Sequence, residues 1–342
     1  MSASKQAEIT AVGIGSAGSK VVSLLSKRSL LVDRFAYVSC DGADFPDGAG
    51  EEAIRIESPV DQKLSPAIVR GLAIGSLSKI RRAVADSKVV FVVAGLGGAT
   101  GSGLSPLVAS IAQESGAITV GVALMPFEFE KKMKFYAGVS LRRLRAASRG
   151  VIVIDNDTLM RSSPDDSTLT SLYDSANAEA VKALSSLLSK SSEYSVPVGL
   201  SKVLSTVLQD GYSLLGVSSS SAPDKAEEAL AGAVVSLGKL ATAAEANRAV
   251  VILNGDASLS AQEVGLVVKR LGSMINNQAV DVEYGANYSG SAQLQVSLLA
   301  SGFSSTKYDD YDPLNKILGG RVIDDEMDAC LPEGLEALQP CD

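Results

Sequence analysis

Three features of this 342-residue sequence predict an α/β protein: a mostly parallel sheet in the first half, followed by a smaller α+β unit. Short apolar runs alternate with longer helical stretches, the pattern of βαβ units. The runs are apolar enough for strands covered on both faces. Two glycine-rich segments also fall where a strand hands over to a helix.

The expected strands of the first half are residues 9–14, 35–39, 89–94, 118–124 and 151–154. Helical patterns lie between them near 19–27, 67–85, 104–114 and 136–147. Residues 171–190, SLYDSANAEAVKALSSLLSK, place Leu184, Leu187 and Leu188 at helical spacing and predict a long helix leaving the first unit. After Pro197 and Gly199, residues 203–208 are helical in pattern and 212–217 extended. Pro223 is placed just inside a helix start, with acids in the first turn. A strand at 250–254 precedes a capping box, Ser260 to Glu263, that opens a helix to about Met274. Strands at 280–284 and 293–300 complete the second unit. The expected boundaries are 1–170 for the first domain, 171–192 for the connecting helix, 193–303 for the second domain and 304–342 for a flexible tail.

Composition removes several classes of chemistry. Histidine is absent, which excludes histidine general bases, Ser-His-Asp and Cys-His triads, and histidine-containing zinc sites. Cys40, Cys330 and Cys341 are an odd number, far apart, and suggest neither a disulfide framework nor a thiolate cluster. With 46% hydrophobic and 20% charged residues the chain is too apolar for a disordered protein. No apolar run is long enough to span a bilayer, and no signal-peptide core opens the chain, so a cytoplasmic location is expected. Residues 304–342 hold three basic and ten acidic residues, nearly all of the overall charge of −8. The body is close to neutral and offers no electrostatic footprint for nucleic acid.

The first glycine segment is Gly13-Ile-Gly15-Ser-Ala-Gly18-Ser-Lys20, and the second is Gly95-Leu-Gly97-Gly98-Ala-Thr100-Gly101-Ser102-Gly103. Loss of Cβ lets backbone approach a phosphate, and a helix N-terminus adds free amides and positive dipole. Thr100 and Ser102 would add hydroxyl donors. The first segment alone fits the G-x-G-x-x-G dinucleotide pattern, with Asp41 about where a ribose-binding acid would sit. Two such loops could clasp one polyphosphate from both sides.

The second loop, GLGGATGSG, resembles the signature loop of the tubulin/FtsZ superfamily. GIGSAGSK resembles its first phosphate loop, VSCDGAD its NTDAQ segment, PFEFE its PF-x-FE element and VIDND its IPND. YDSANAEAV is similar to the helix that carries a guanine-reading residue. DGYSLLG, VVILNGDASLSAQEV and QLQVSLLASGF are similar to the second domain. The resemblance covers about residues 8–303 and is to prokaryotic, archaeal-type FtsZ-like or CetZ-like proteins, with Lys20 closer to the CetZ pattern. It implies the tubulin/FtsZ fold: a Rossmann-like GTP-binding domain, a central helix and an α+β domain. Under it, Gly15, Ser16, Ala17 and Gly18 would cradle the nucleotide from one side, with Asp41 nearby. Gly97, Gly98, Ala99, Thr100 and Gly101 would hold phosphates from the other. Glu130 would contact the sugar, and Asn156 and Asn177 would read the guanine edge, an amide being able to donate and accept.

The family completes hydrolysis with acids of an N-x-D-x-x-D loop reaching the next subunit. Counted back from Gly211 without gaps, those positions fall here on Pro197, Gly199 and Lys202, none of them a carboxylate. The loop that senses the terminal phosphate is replaced by SPAIVRGLAIGSLSK, where only Gly71 and Gly75 remain. The arginine expected after Glu130 is missing, and Lys131, Lys132 or Lys134 would replace its charge without its planar fork. The resemblance thus implies a GTP-binding, self-associating cytoskeletal protein for cell division or cell shape, with weak or absent hydrolysis. The alternatives are a slow GTPase using Glu193 or Asp210, and an NAD-dependent oxidoreductase built on Gly13, Gly15, Gly18 and Asp41. Implied ligands are GTP or GDP, with Mg as a candidate ion. Implied partners are further copies of the chain, an active paralogue, and a membrane-adaptor protein at the tail. Neither nucleic acid nor direct membrane insertion is expected.

Overall fold

The computed structural model describes residues 9–58, 64–159, 168–190, 196–256, 258–288 and 290–312. Its strands are β1 (Ile9–Ile14), β2 (Arg34–Ser39), β3 (Ala53–Arg55), β4 (Val89–Gly95), β5 (Ile118–Met125), β6 (Gly150–Asp155), β7 (Tyr212–Ser220), β8 (Arg248–Gly255), β9 (Asp281–Tyr288) and β10 (Leu294–Phe303). The helices are α1 (Gly15–Ser26), α2 (Pro66–Leu72), α3 (Leu77–Val84), α4 (Ala99–Glu114), α5 (Lys131–Ala146), α6 (Asn156–Leu159), α7 (Leu169–Leu187), α8 (Leu200–Val207), α9 (Lys225–Gly238) and α10 (Ala261–Met274). All ten strands join one sheet in the order β3-β2-β1-β4-β5-β6-β7-β10-β8-β9. Pairing is parallel from β3 through β7, antiparallel on both sides of β10, and parallel again between β8 and β9. The α/β expectation is borne out.

Strand side chains divide between two cores with a period of two. Val12, Ile14, Val90, Val92 and Ala94 face one core, which α4, α5, α9 and α10 cover. Ile9, Ala11, Val89, Phe91 and Val93 face the other, which α1, α7 and α8 cover. Both faces are therefore dry, which is why the strands read as unbroken apolar runs. Among the described residues no helix is long and apolar enough to cross a membrane.

Several expectations change at the level of elements. The helix foreseen over 67–85 is broken by a 3₁₀ turn at Ala73–Ser76, between α2 and α3. Pro223 lies outside α9, which begins at Lys225 after Asp224. The Ser260–Glu263 capping box is formed in both directions. β3 carries too short an apolar pattern to have been foreseen. Glu193, Cys330, Cys341 and the acids beyond Asp312 lie outside the described residues.

The packed chain continues past Phe303. Residues 306–312 fold back over α5, around a 3₁₀ turn at Lys307–Tyr311 with its own capping box, Thr306 to Asp309. Tyr308 is buried there. Arg142 Nε donates to Asp312 Oδ2 at 2.7 Å, and Tyr212 Oη donates to Asp309 Oδ1 at 3.1 Å. Burial, then the Asp309 carboxylate, pushes the Tyr212 hydroxyl up to about 12. Gly138 of α5 lets the strap approach, since a Cβ there would stand 2.7 Å from the Asp312 amide nitrogen.

Because the Asp312 side chain is only 2% exposed, removing the guanidinium beside it takes a cation away from a buried carboxylate. Arg142→Met should lower stability by roughly 3 kcal/mol. The urea midpoint should fall with an unchanged slope, and adding Asp312→Asn should recover part of the loss. An unchanged midpoint for Arg142→Met contradicts this account of the strap.

Candidate functional site

The two glycine segments are not loops before helices; each is largely the first turn of its helix. β1 passes into α1 with no linker, Gly15 adopting φ +65 and Ile14 serving as an N-cap without a side-chain bond. α4 likewise starts at Ala99, with Gly98 as N-cap and no side-chain cap. Both helices start several residues before their expected positions. The first amides of a helix have no intrahelical partner. Gly15, Ser16 and Ala17 supply one such set, and Gly98, Ala99, Thr100 and Gly101 the other.

The glycines bring these sets together. A Cβ on Gly18 would stand 2.2 Å from the Val93 carbonyl oxygen, and one on Gly101 would stand 2.0 Å from that of Gly95. A Cβ on Gly95 would meet the Ala17 methyl at 2.8 Å, and one on Gly15 would meet Thr100 Cβ at 3.3 Å. The helix starts therefore touch through backbone and leave their amides side by side. Gly98 differs: it is exposed, with nothing within 4 Å of a built Cβ. Ser16, Ala99 and Thr100 share this accessible rim, whereas Gly15, Gly18, Gly97 and Gly101 are buried.

Individual roles sharpen accordingly. Gly18 is the fourth residue of α1, where the amide enters the helical ladder, so its contribution is close packing. The Gly97 amide donates to Ser102 Oγ at 2.8 Å, which turns that buried hydroxyl inward, and Gly97 itself holds φ +108. Asp41 Oδ1 accepts from the Ala43 amide at 2.9 Å, capping the 3₁₀ turn Gly42–Asp44 beside the end of β2. Cys40 is buried, and burial pushes its thiol up despite a hydrogen bond with Thr100.

A second wall comes from the ends of β5 and β6 and the start of α7. Glu130 Oε2 accepts from the Phe127 amide at 2.8 Å, closing the turn before α5. Its other oxygen accepts the Tyr173 hydroxyl of α7. Burial, then this bond, lifts the tyrosine to about 12. Phe127 packs edge-on to Tyr173 and stacks on Phe129. Lys20 of α1 pairs with Asp174 of α7. Asn156 opens α6 at the end of β6, and Asn177 lies one turn beyond Tyr173 on α7, 9% exposed. The Glu128 amide donates to Asp157 Oδ2 at 2.9 Å, joining the two turns. Burial and the neighbouring Asp155 push the Asp157 carboxyl up, Lys307 opposing them. Tyr173 and Asp174 are the residues sequence reasoning passed over. The signal was present, since Tyr173 and Asn177 stand four apart and share a helix face.

The lysines after Glu130 divide. Lys134 lies over the Tyr311 ring at 4.8 Å and is committed to the strap, while Lys131 and Lys132 are exposed. The stretch with Gly71 and Gly75 is α2, the 3₁₀ turn and α3, and both glycines face open space. Among the described residues no group of three or more His, Cys, Asp or Glu could hold a metal ion.

The positions aligned with the hydrolytic acids are remote from this site. α7 has 19 residues, and starts beside Glu130 and Lys20. It spans about 28 Å. It ends where Ser189 bridges Leu30, before the opening of β2. Gly150, at the opening end of β6, packs against Val207, the last residue of α8. The last turn of α8 therefore lies at the opposite end of the sheet from the glycine turns. Gly199 is its N-cap, and Lys202 pairs with Glu283 of β9. Asp210 is exposed beyond the other end of α8, about 12 Å of helix away from Gly199. Nearby, α10 and β9 border an apolar groove of about 860 Å³, with Val196, Tyr284 and Tyr288 exposed along it.

Residues 65–164 match the Tubulin/FtsZ family, GTPase domain. The chain is 24% identical over 343 residues to the cell division protein FtsZ of Rickettsia bellii, covering 94% of this chain and 72% of that one. Its fold is similar to that of the M. jannaschii FtsZ dimer, with a TM-score of 0.75 and 25% identity over 87% of this chain and 89% of that one. CetZ2 from Haloferax volcanii, solved as a GTPgS-bound protofilament, is similar in fold at a TM-score of 0.67 and 22% identity, covering 89% and 95%.

Glycine substitutions separate packing from ligand contact. Gly98 has φ −77 and ψ 159, which any residue adopts, and an open Cβ direction. Gly98→Val should fold normally and lose anion binding at least about tenfold, because the side chain fills the space the amides face. Gly101→Ala should instead lower the melting temperature. Circular dichroism and equilibrium binding of a labelled nucleotide read both. Full-strength binding by Gly98→Val removes this rim from the site.

Proposed function

We infer that this chain, a member of the tubulin/FtsZ superfamily, is a guanine-nucleotide-binding cytoskeletal protein that stacks head to tail with weak or absent hydrolysis. The observation that carries the reading is the convergence of two uncapped helix starts on one accessible rim, which Lys20 ties to Asp174 at the start of α7, on the side of the sheet where β6 ends at Asn156 two strands away. Free amides and two helix dipoles suit a polyphosphate in a body with almost no net charge of its own. GTP or GDP would lie with its phosphates between Ser16–Ala17 and Gly98–Gly101, its sugar toward Glu130 and its base toward Asn156 and Asn177. A Mg ion would be held by phosphate oxygens and water rather than by a dedicated protein cluster.

Self-association is favoured by the length of α7. It carries the chain from the glycine turns to the far end of the sheet, so the Gly199–Lys202 segment could meet a nucleotide only on another copy. Exposed apolar side chains lie in two patches: Phe129, Met133 and Phe135 after the glycine turns, and Val196, Tyr284 and Tyr288 along the α10–β9 groove. A contact between unlike ends that does not close generates a filament. The similarity to the M. jannaschii FtsZ dimer supports the same arrangement for this chain. Division, cell shape, an active paralogue, a tail adaptor and a cytoplasmic location remain parts of this proposal.

Hydrolysis is the weak point. The far end presents Gly199 and a lysine already paired with Glu283, so no carboxylate at those positions would orient an attacking water. The slow-GTPase alternative needs Glu193 or Asp210. Asp210 is exposed just beyond the last turn of α8, about 12 Å of helix from Gly199. The oxidoreductase alternative leaves the second glycine turn without a purpose.

Equilibrium binding of labelled GTP, ATP and NAD should rank GTP first by at least about tenfold; a tighter ATP or NAD complex ends the guanine reading. Phosphate release at assembling concentrations should be slow and should rise in Gly199→Asp. That residue has an ordinary backbone and an N-cap position that favours aspartate. Lys202→Asp is the poorer probe, because it sets a second acid against Glu283. Turnover ordinary for the family in the unmodified chain would refute the degenerate-site reading.

A further inference from the structure

The turn that presents Asn156 is fastened from the strap at the end of the described chain. β6 ends on Asp155, whose carboxylate is 1% exposed. Its two oxygens have separate tasks. Oδ1 accepts from the Asp157 amide at 3.3 Å, across Asn156, and Oδ2 accepts from Lys307 Nζ at 2.9 Å. Thr158 Oγ1 closes the same turn on the Asp155 carbonyl at 2.8 Å. Asn156 thus sits inside a bracket whose outer post is Lys307.

That lysine is itself held firmly. The Thr306–Asp309 capping box shapes its backbone, its amide donates to the Leu240 carbonyl at 2.8 Å, and its ammonium lies 5.1 Å from the centroid of the buried Tyr308 ring. Burying a carboxylate is costly unless a cation and hydrogen bonds satisfy it. Without Lys307 the Asp155 side chain is drawn from its place toward water, which weakens its bond to the Asp157 amide. The residue between the two, Asn156, then loses its fixed direction.

We propose that Lys307 is a positioning residue for base recognition: by holding the Asp155 carboxylate in place, it fixes the one-turn helix that presents Asn156 to guanine. This rests on the guanine-nucleotide reading above. It makes base selectivity, rather than phosphate affinity, depend on a side chain from the second unit of the fold.

The full chain carrying Lys307→Met is compared with the unmodified chain by equilibrium binding of GTP, ITP (which lacks the guanine 2-amino group) and ATP, beside thermal denaturation. The expected result is a fall of about tenfold in the preference for GTP over both competitors, with ATP binding within about twofold of the original. Lys307→Arg should keep the preference. Lys307→Gln, which retains a donor but no charge, should fall between, and it is read in the same way if the Met variant does not fold. A Met or Gln variant that melts lower yet keeps the full preference overturns the proposal, because the lysine would then be a purely structural tie. Should the unmodified chain itself prefer ATP or NAD, the guanine reading fails and takes this inference with it. That outcome is distinct, since it is seen before any substitution is made.

Discussion

Backbone-to-backbone packing at the two glycine turns is the constraint on which the rest depends. Gly18 lies on the Val93 carbonyl and Gly101 on that of Gly95, at separations that no side chain could enter. These contacts let α1 and α4 start directly from adjacent strands and set their unpartnered amides against one another. With a near-neutral body, attraction for a polyphosphate must come from this alignment of peptide dipoles rather than from lysines and arginines. Any side chain at either glycine would drive the helix starts apart, and the amides would no longer share one target.

The sheet itself was legible because its strands are dry on both faces. A residue string such as VVFVVAG at β4 permits little else once it is bounded by turns and helices. The starts of α1 and α4 lie further toward the N-terminus than the pattern predicts, for a physical reason. Glycine, serine and threonine are poor helix formers, so GSAGS and ATGSG read as loops. Tertiary packing overrides that preference, and the first turns are helical because the neighbouring strand holds them so. Asn156 and Asn177 were found through order along the chain rather than through any local signal. The strap had no signal at all: TKYDDYD reads as a solvated acidic run, and only the fold brings Arg142, Asp155 and Tyr212 to it. Long-range charge pairs of this kind leave no periodicity to detect.

α7 sets the functional length scale. Its first turns bind Glu130 and Lys20 at the glycine end, and just beyond its other end Ser189 bridges Leu30. A single rigid element thus separates the nucleotide rim from the segment bearing Gly199 and Lys202. At that far end the substitution of lysine for an acid is compensated locally by Glu283. The pair is about half exposed, so it adds little stability. It does neutralise the position, leaving neither a carboxylate to orient water nor a free ammonium to grip phosphate. In the proposed head-to-tail stack, apolar contact rather than charge would supply the affinity, over an interface of about 1,000 Å² or more.

The strap and α7 together explain why the two halves of the chain behave as one sheet rather than two hinged units. β6 meets β7 over only two residue pairs, Ile152 with Ser213 and Val153 with Leu214, a short seam by itself. The seam is reinforced on one face by α7 and α8, and at its edge by Lys307 on Asp155 and Arg142 on Asp312. Both carboxylates are buried, so opening the seam would expose or strand two charges at once, a cost well above that of breaking surface pairs. A change at the nucleotide rim that disturbs the Asn156 turn therefore acts on the same bonds that hold the second unit in place.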